Sequence, residues 1–196
     1  MNSYHALDLK GAKGESTARL KEFLKERIVF ELKVSAGTRE YEILQAVLKS
    51  TFDDLADAFE RYEILKRDFQ NDPKMFLKTA KVVERTSNIL KGIKGKMPEE
   101  IRSELLREAL EKELFDLLEK KSGEIQTAIR NRDYSKATKI FGESFYRPLH
   151  SFFEKILVNA EDSQTRQNRQ ALMRRINSLY ADTVADLSVL SRIDIE

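Results

Sequence analysis

An all-α bundle is the fold that this 196-residue sequence predicts, and three observations carry the prediction. Apolar residues recur three and four positions apart through each long segment, which is the period of one helix face. No alternation of apolar and polar residues holds long enough to specify a strand. Helix-start signals, namely Thr38, Thr51 with Asp54, Asp72 followed by Pro73, and Asp162, stand where the periodic segments begin. With 41% hydrophobic residues the chain can bury roughly 70% of its unfolded surface, so one domain or two closely packed helical halves is the natural organisation.

Met1 to Glu15 carries Gly11 and Gly14 among charges and has no clear period; it reads as a flexible lead-in, or as the place where a longer chain is cut, ahead of a helical domain over 16–196. From Ser16, Leu20, Phe23, Leu24 and Ile28 mark a first helix to about Lys33, closed by Gly37. Thr38 caps a second, with Tyr41, Leu44, Val47 and Leu48 on one face. Thr51 and Asp54 resemble a capping box for a third, whose stripe is Leu55, Ala58, Phe59, Tyr62 and Leu65. Pro73 opens a fourth helix running to about Lys91, because proline at the first helical position forfeits no needed hydrogen bond.

Gly92 and Gly95 interrupt the chain, and Pro98, Glu99 and Glu100 restart it. Ile101, Leu105, Leu106, Leu110, Leu114, Leu117 and Leu118 predict one long helix, with Gly123 a point of bending. Tyr134 to Phe141 predicts a shorter helix weakened by Gly142, and Pro148 a separate one reaching Phe152, Phe153 and Ile156. The last helix is expected from Ser163 to Ser191, with Leu172, Ile176, Leu179, Tyr180 and Val184 inward.

Several chemistries are disfavoured. Thirty-five Lys and Arg against 33 Asp and Glu give a net charge of +2, so no bulk field draws the chain to nucleic acid or membrane, and an RNA site has to be a local patch. The absence of cysteine removes disulfides, thiolate metal sites and a cysteine nucleophile, and fits a reducing, cytoplasmic setting. No apolar run approaches the roughly 20 residues that span a bilayer, so no membrane partner is expected. His5 and His150 lack the paired spacing of a zinc helix. Gly92-Ile93-Lys94-Gly95 has the GxxG spacing of an RNA-clamping loop without that module's strands, and reads as a helix stop with a basic loop. Glu161 and Asp162 adjoin, but Asp162 is explained as a cap.

Two basic sets remain. Arg85, Lys91, Lys94 and Lys96 gather at the end of the fourth helix with Asn88 among them, and Arg166, Arg169, Arg174 and Arg175 lie on the last helix. Arg and Asn can bond exposed base edges while Lys holds phosphate, so these residues fit a single-strand RNA site, although charges in such a pattern usually form only a solvated face. Tyr134 and Tyr146 are the candidates for base stacking.

ERTSNILKG at 84–92, FFEKILVNAEDSQTRQNRQAL at 152–172 and VADLSVL at 184–190 resemble the signatures of the C-terminal anticodon-binding (DALR-like) domain of the bacterial glycyl-tRNA synthetase beta subunit. The resemblance runs from about Ser16 to Leu190. It departs at Tyr146, His150, Thr165 and Gln170, where that family would have arginine, aspartate and two leucines. It implies an all-α domain similar to the one ending arginyl-tRNA synthetases, serving anticodon recognition in the tetrameric glycine-tRNA ligase. Residues carried over are Arg85, Asn88, Glu161, Asp162, Arg166, Asn168 and Arg169, joined by Lys91 and Lys94 as RNA-binding candidates.

The implied partners are the anticodon region of glycine tRNA, the rest of the beta subunit and the alpha subunit. The resemblance implies no cofactor in this chain, ATP and magnesium serving only the full synthetase, and no catalysis by the chain alone. Glycine codons begin with two guanines, so the bases to read are cytosines, whose pairing edge offers an amino donor to Glu or Asp and acceptors to Arg or Asn. The competing reading is a helical protein–protein interaction module that touches no RNA.

Overall fold

The computed structural model describes residues 13–51, 54–93 and 100–195. Among these are seven α-helices and no strand: α1 Lys13–Glu31, α2 Arg39–Lys49, α3 Leu55–Asn71, α4 Pro73–Lys91, α5 Ala109–Arg130, α6 Tyr134–Lys155 and α7 Ser163–Ser178. None is long and apolar enough to cross a membrane. Thr38 caps α2 and Asp72 caps α4 through side-chain oxygens that accept first-turn amides, as their positions predict. At α3 the cap is Asp54, which accepts from the amides of Ala56 and Asp57; the Thr51 hydroxyl instead donates to the Asp182 carbonyl, 2.7 Å away.

Contacts fix the direction of each helix. Thr79 reaches Thr138 while Arg85 reaches His150, so α4 and α6 run parallel. Tyr180, just past α7, meets Thr138, and Arg169 meets the Leu157 carbonyl just past α6, so α7 runs antiparallel to α6. The α5–α6 hairpin turns through Asn131 to Asp133. One end of the bundle therefore gathers the end of α4, the start of α5, the end of α6 and the start of α7. Between the helices, Phe76, Phe141, Phe145, Phe152, Leu172, Ile176 and Tyr180 are fully buried. The ring of Tyr180 stacks on Phe141 at 5.1 Å, and its hydroxyl is satisfied by Thr138.

Three expectations are corrected. The segment expected to be helical from Pro98 becomes α5 only at Ala109; Ser103–Leu105 is a 3-10 turn, and Pro98 and Glu99 lie outside the described residues. The two helices expected at 134–141 and 148–156 are one, α6, with Gly142 and Pro148 inside it. Gly142 lets α4 pack tightly against α6: a Cβ there would overlap the Thr79 hydroxyl and lie 3.0 Å from the Thr79 amide nitrogen. The last helix stops at Ser178, and Leu179, Tyr180 and Val184 reach the core from turns that follow it.

Candidate nucleic-acid interface

The corner between α6 and α7 is built from polar side chains that close on backbone. Asp162 accepts from both the amide and the hydroxyl of Thr165, at 2.8 and 2.6 Å, and those bonds hold its carboxyl below the usual range. Thr165, where leucine was expected, thus reinforces the cap. Arg166, half-buried, donates to the carbonyls of Ala160 and Glu161, at 2.7 and 3.1 Å. Asn168 is 3% exposed and clamps residue 102 from both sides, accepting from its amide at 2.7 Å and donating to its carbonyl at 3.0 Å. Gln170 donates to Asn159 across the turn.

Arg169 turns inward. Its guanidinium pairs with Glu111 and donates to the Leu157 carbonyl at 2.8 Å. Glu111 is completely buried, and its second oxygen accepts the amides of Arg107 and Glu108 at the start of α5, at 2.6 and 2.9 Å. The Arg-x-Asn-Arg run therefore joins the turn after α6, the 3-10 turn and α5 into one rigid corner. Glu111 was not singled out in the sequence; its signal is a glutamate at the third position of a helix, masked because Glu108 rather than Ser or Thr precedes it.

The α4 set is separate from this corner. Arg85 lies over the Phe153 ring, its guanidinium carbon 4.7 Å from the ring centre, and donates to His150 Nδ1 at 2.9 Å. A guanidinium has no acceptor, so Nδ1 of His150 accepts, and Nε2 carries the proton that it donates to Glu154 at 3.1 Å. Asn88 follows Arg85 on the same face of α4, and Asn88 and Lys91 are exposed. Glu161 is also exposed, at the same end of the bundle. Lys94 lies outside the described residues.

Of the two stacking candidates, Tyr134 is at the opposite end and 3% exposed, with its hydroxyl donating to Asp57. Burial, and then that carboxylate, push its hydroxyl far above the ordinary tyrosine range. It is closed to a base. Tyr146 is half-buried beside His150, the ring planes 18° apart. Among the described residues no group of three or more His, Asp or Glu is placed to hold a metal.

The profile of the DALR anticodon binding domain matches residues 79–188, a span that takes in the α4 set and the whole α6–α7 corner. The chain is 34% identical over 191 residues to the glycine--tRNA ligase beta subunit of Citrifermentans bemidjiense, covering 95% of this chain and 26% of that protein. It is 30% identical over 188 residues to that of Desulforamulus reducens, covering 94% and 26%. Against that of Actinobacillus pleuropneumoniae serotype 3 it is 39% identical over 107 residues, 55% of this chain and 15% of the relative. The chain thus spans about a quarter or less of the length of these relatives.

Proposed function

This chain belongs to the DALR anticodon-binding domain family, and from that premise we propose that it recognises the anticodon loop of glycine tRNA as the C-terminal part of a glycine--tRNA ligase beta subunit. The observation that carries the reading is the family match across 79–188, which spans the end of the bundle where accessible donors and a carboxylate gather. In this reading Arg85, Asn88 and Lys91 on α4, with Glu161 and the outer edge of Arg166 at the turn, meet the RNA. Asn168 and Arg169 are positioning residues that hold the turn, since both are engaged with buried groups. Lys94, which lies outside the described residues, is the candidate for a phosphate contact. The remaining beta subunit and the alpha subunit are the protein partners, ATP and magnesium act elsewhere in that enzyme, and the setting is cytoplasmic.

A net charge of +2 leaves binding to local contacts, so affinity should be modest and salt-dependent. With about four phosphates contacted, log affinity should fall against log salt with a slope near −3, from roughly −0.7 per phosphate of a single strand. Fluorescence anisotropy with glycine tRNA, and with a tRNA whose last two anticodon bases are altered, measures both slope and selectivity. Equal affinity for the two RNAs would defeat the anticodon reading. A second reading, a helical module for protein contact alone, draws on an apolar groove of about 290 Å³ between α1, α2 and α3 that exposes Leu55 and Phe59. No RNA binding at any salt concentration would favour it.

A further inference from the structure

A concave pocket of about 320 Å³ opens between α4, α6 and the C-terminal tail, lined by Lys81, Arg85, Tyr146, His150, Asp194 and the flanking isoleucines Ile193 and Ile195. We infer that this pocket is a subsite for one unstacked cytosine nucleotide, with the base lying on the Tyr146 ring beside His150, Asp194 accepting its amino group, and Arg85 facing its phosphate, while Lys81 is held by Glu84 at 2.7 Å. The assignment rests on the anticodon reading and names the place where one loop base is held.

Each chemical requirement of such a ligand has a side chain here. A base stripped from its stack needs a flat partner, and the half-buried Tyr146 ring, stacked beside His150 with the planes 18° apart, supplies one. Its phosphate needs a cation. Arg85 uses one terminal nitrogen on His150 and one face on Phe153, and among the described residues the rest of its guanidinium makes no hydrogen bond. The carboxylate of Asp194 is exposed, and an acceptor there selects bases with an exocyclic amino group. The volume sits at the small end of ligand pockets, fitting one nucleotide rather than a stacked pair.

The far wall is anchored. Ile193 is 3% exposed, its carbonyl accepts from Lys81 at 3.1 Å, and Arg39 holds the carbonyls of Ser191 and Arg192. The pocket is thus formed before a ligand arrives, which lowers the ordering cost of binding. From Arg85 the same face of α4 leads to the exposed Asn88 and Lys91, so neighbouring nucleotides have donors to follow.

Two probes test this with the full chain. Cytidine 5′-monophosphate titrated into ¹⁵N-labelled protein should shift the amides around Tyr146, His150 and Asp194, and uridine 5′-monophosphate should shift them less. The anticodon stem-loop of glycine tRNA, followed by anisotropy, should bind about tenfold or more weakly to Tyr146→Leu, as expected for loss of one base–aromatic stack. Asp194→Asn, on an exposed side chain where folding is not at risk, should lose about tenfold on that loop and little on a loop with uracils in place of its cytosines. Undiminished stem-loop binding in both variants, with no nucleotide shifts at the pocket, overturns the subsite and leaves the anticodon reading standing. Absent stem-loop binding overturns the anticodon reading and, with or without nucleotide shifts at the pocket, the loop-base subsite that rests on it.

Discussion

Arg169 directs its guanidinium onto a carboxylate that has no access to water. From the sequence it looks like a surface residue two turns into a helix, whose truncation would cost less than about 0.5 kcal/mol. The structure reverses that expectation. Arg169→Ala strands Glu111 as an unpaired buried charge, and urea unfolding should show a loss of about 3 to 5 kcal/mol. Replacing both partners with leucine should recover only part of this, because an apolar pair leaves no charge to satisfy but deprives the Arg107 and Glu108 amides of their acceptor. That double variant also isolates the RNA question: binding within about twofold of wild type identifies Arg169 as a residue that shapes the turn, and a large loss with intact folding would make it a direct contact. The motif was legible in the sequence and its task was not. Arg169 finds its partner 58 residues away and Asn168 finds residue 102 at a separation of 66, distances at which no local pattern reports a contact.

At the scale of single elements, apolar spacing reported burial more faithfully than it reported helix. Leu106 and Val184 are buried as their spacing demands, yet one follows a 3-10 turn and the other sits among turns beyond α7. A helix needs an unbroken run of backbone bonds, and past Ser178 the amides of Tyr180, Ala181 and Val184 return to the carbonyls of Asn177 and Tyr180 in separate turns. Glycine misled in the opposite direction. Gly142 reads as a weak point in a helix, whereas it is the site where α6 meets the backbone of α4. Gly142→Ala should therefore destabilise by about 1 to 3 kcal/mol despite alanine's better helix propensity, because the added methyl displaces Thr79. Gly123→Ala in α5 meets nothing within 4 Å and should stabilise by about 0.5 to 1 kcal/mol. Thermal melts of the two variants should move in opposite directions, and a shared sign would refute the close-approach account.

Across the whole molecule, the tail after α7 joins the early helices to the bundle. Arg61 of α3, 1% exposed, donates to the Val184 carbonyl at 2.9 Å and to the Thr51 carbonyl at 2.7 Å while pairing with Asp57. The Asp186 amide donates to the Ala46 carbonyl at 2.9 Å, and the Asp186 carboxylate pairs with Lys49 of α2 at 2.8 Å. A chain of 196 residues exceeds the size at which two-state unfolding can be taken for granted, so cooperativity has to come from such ties. With them intact, far-ultraviolet circular dichroism and tyrosine absorbance should trace one coincident urea transition. Arg61→Ala removes one of these ties and leaves the buried Val184 carbonyl without its donor, at about 1 to 3 kcal/mol. Its transition should move to lower urea and separate into two, with α2 and α3 melting ahead of α4 to α7. A single transition that only shifts would place the coupling in the apolar packing of Tyr62 and Leu65 against the bundle, with Arg61 adding stability and no cooperativity.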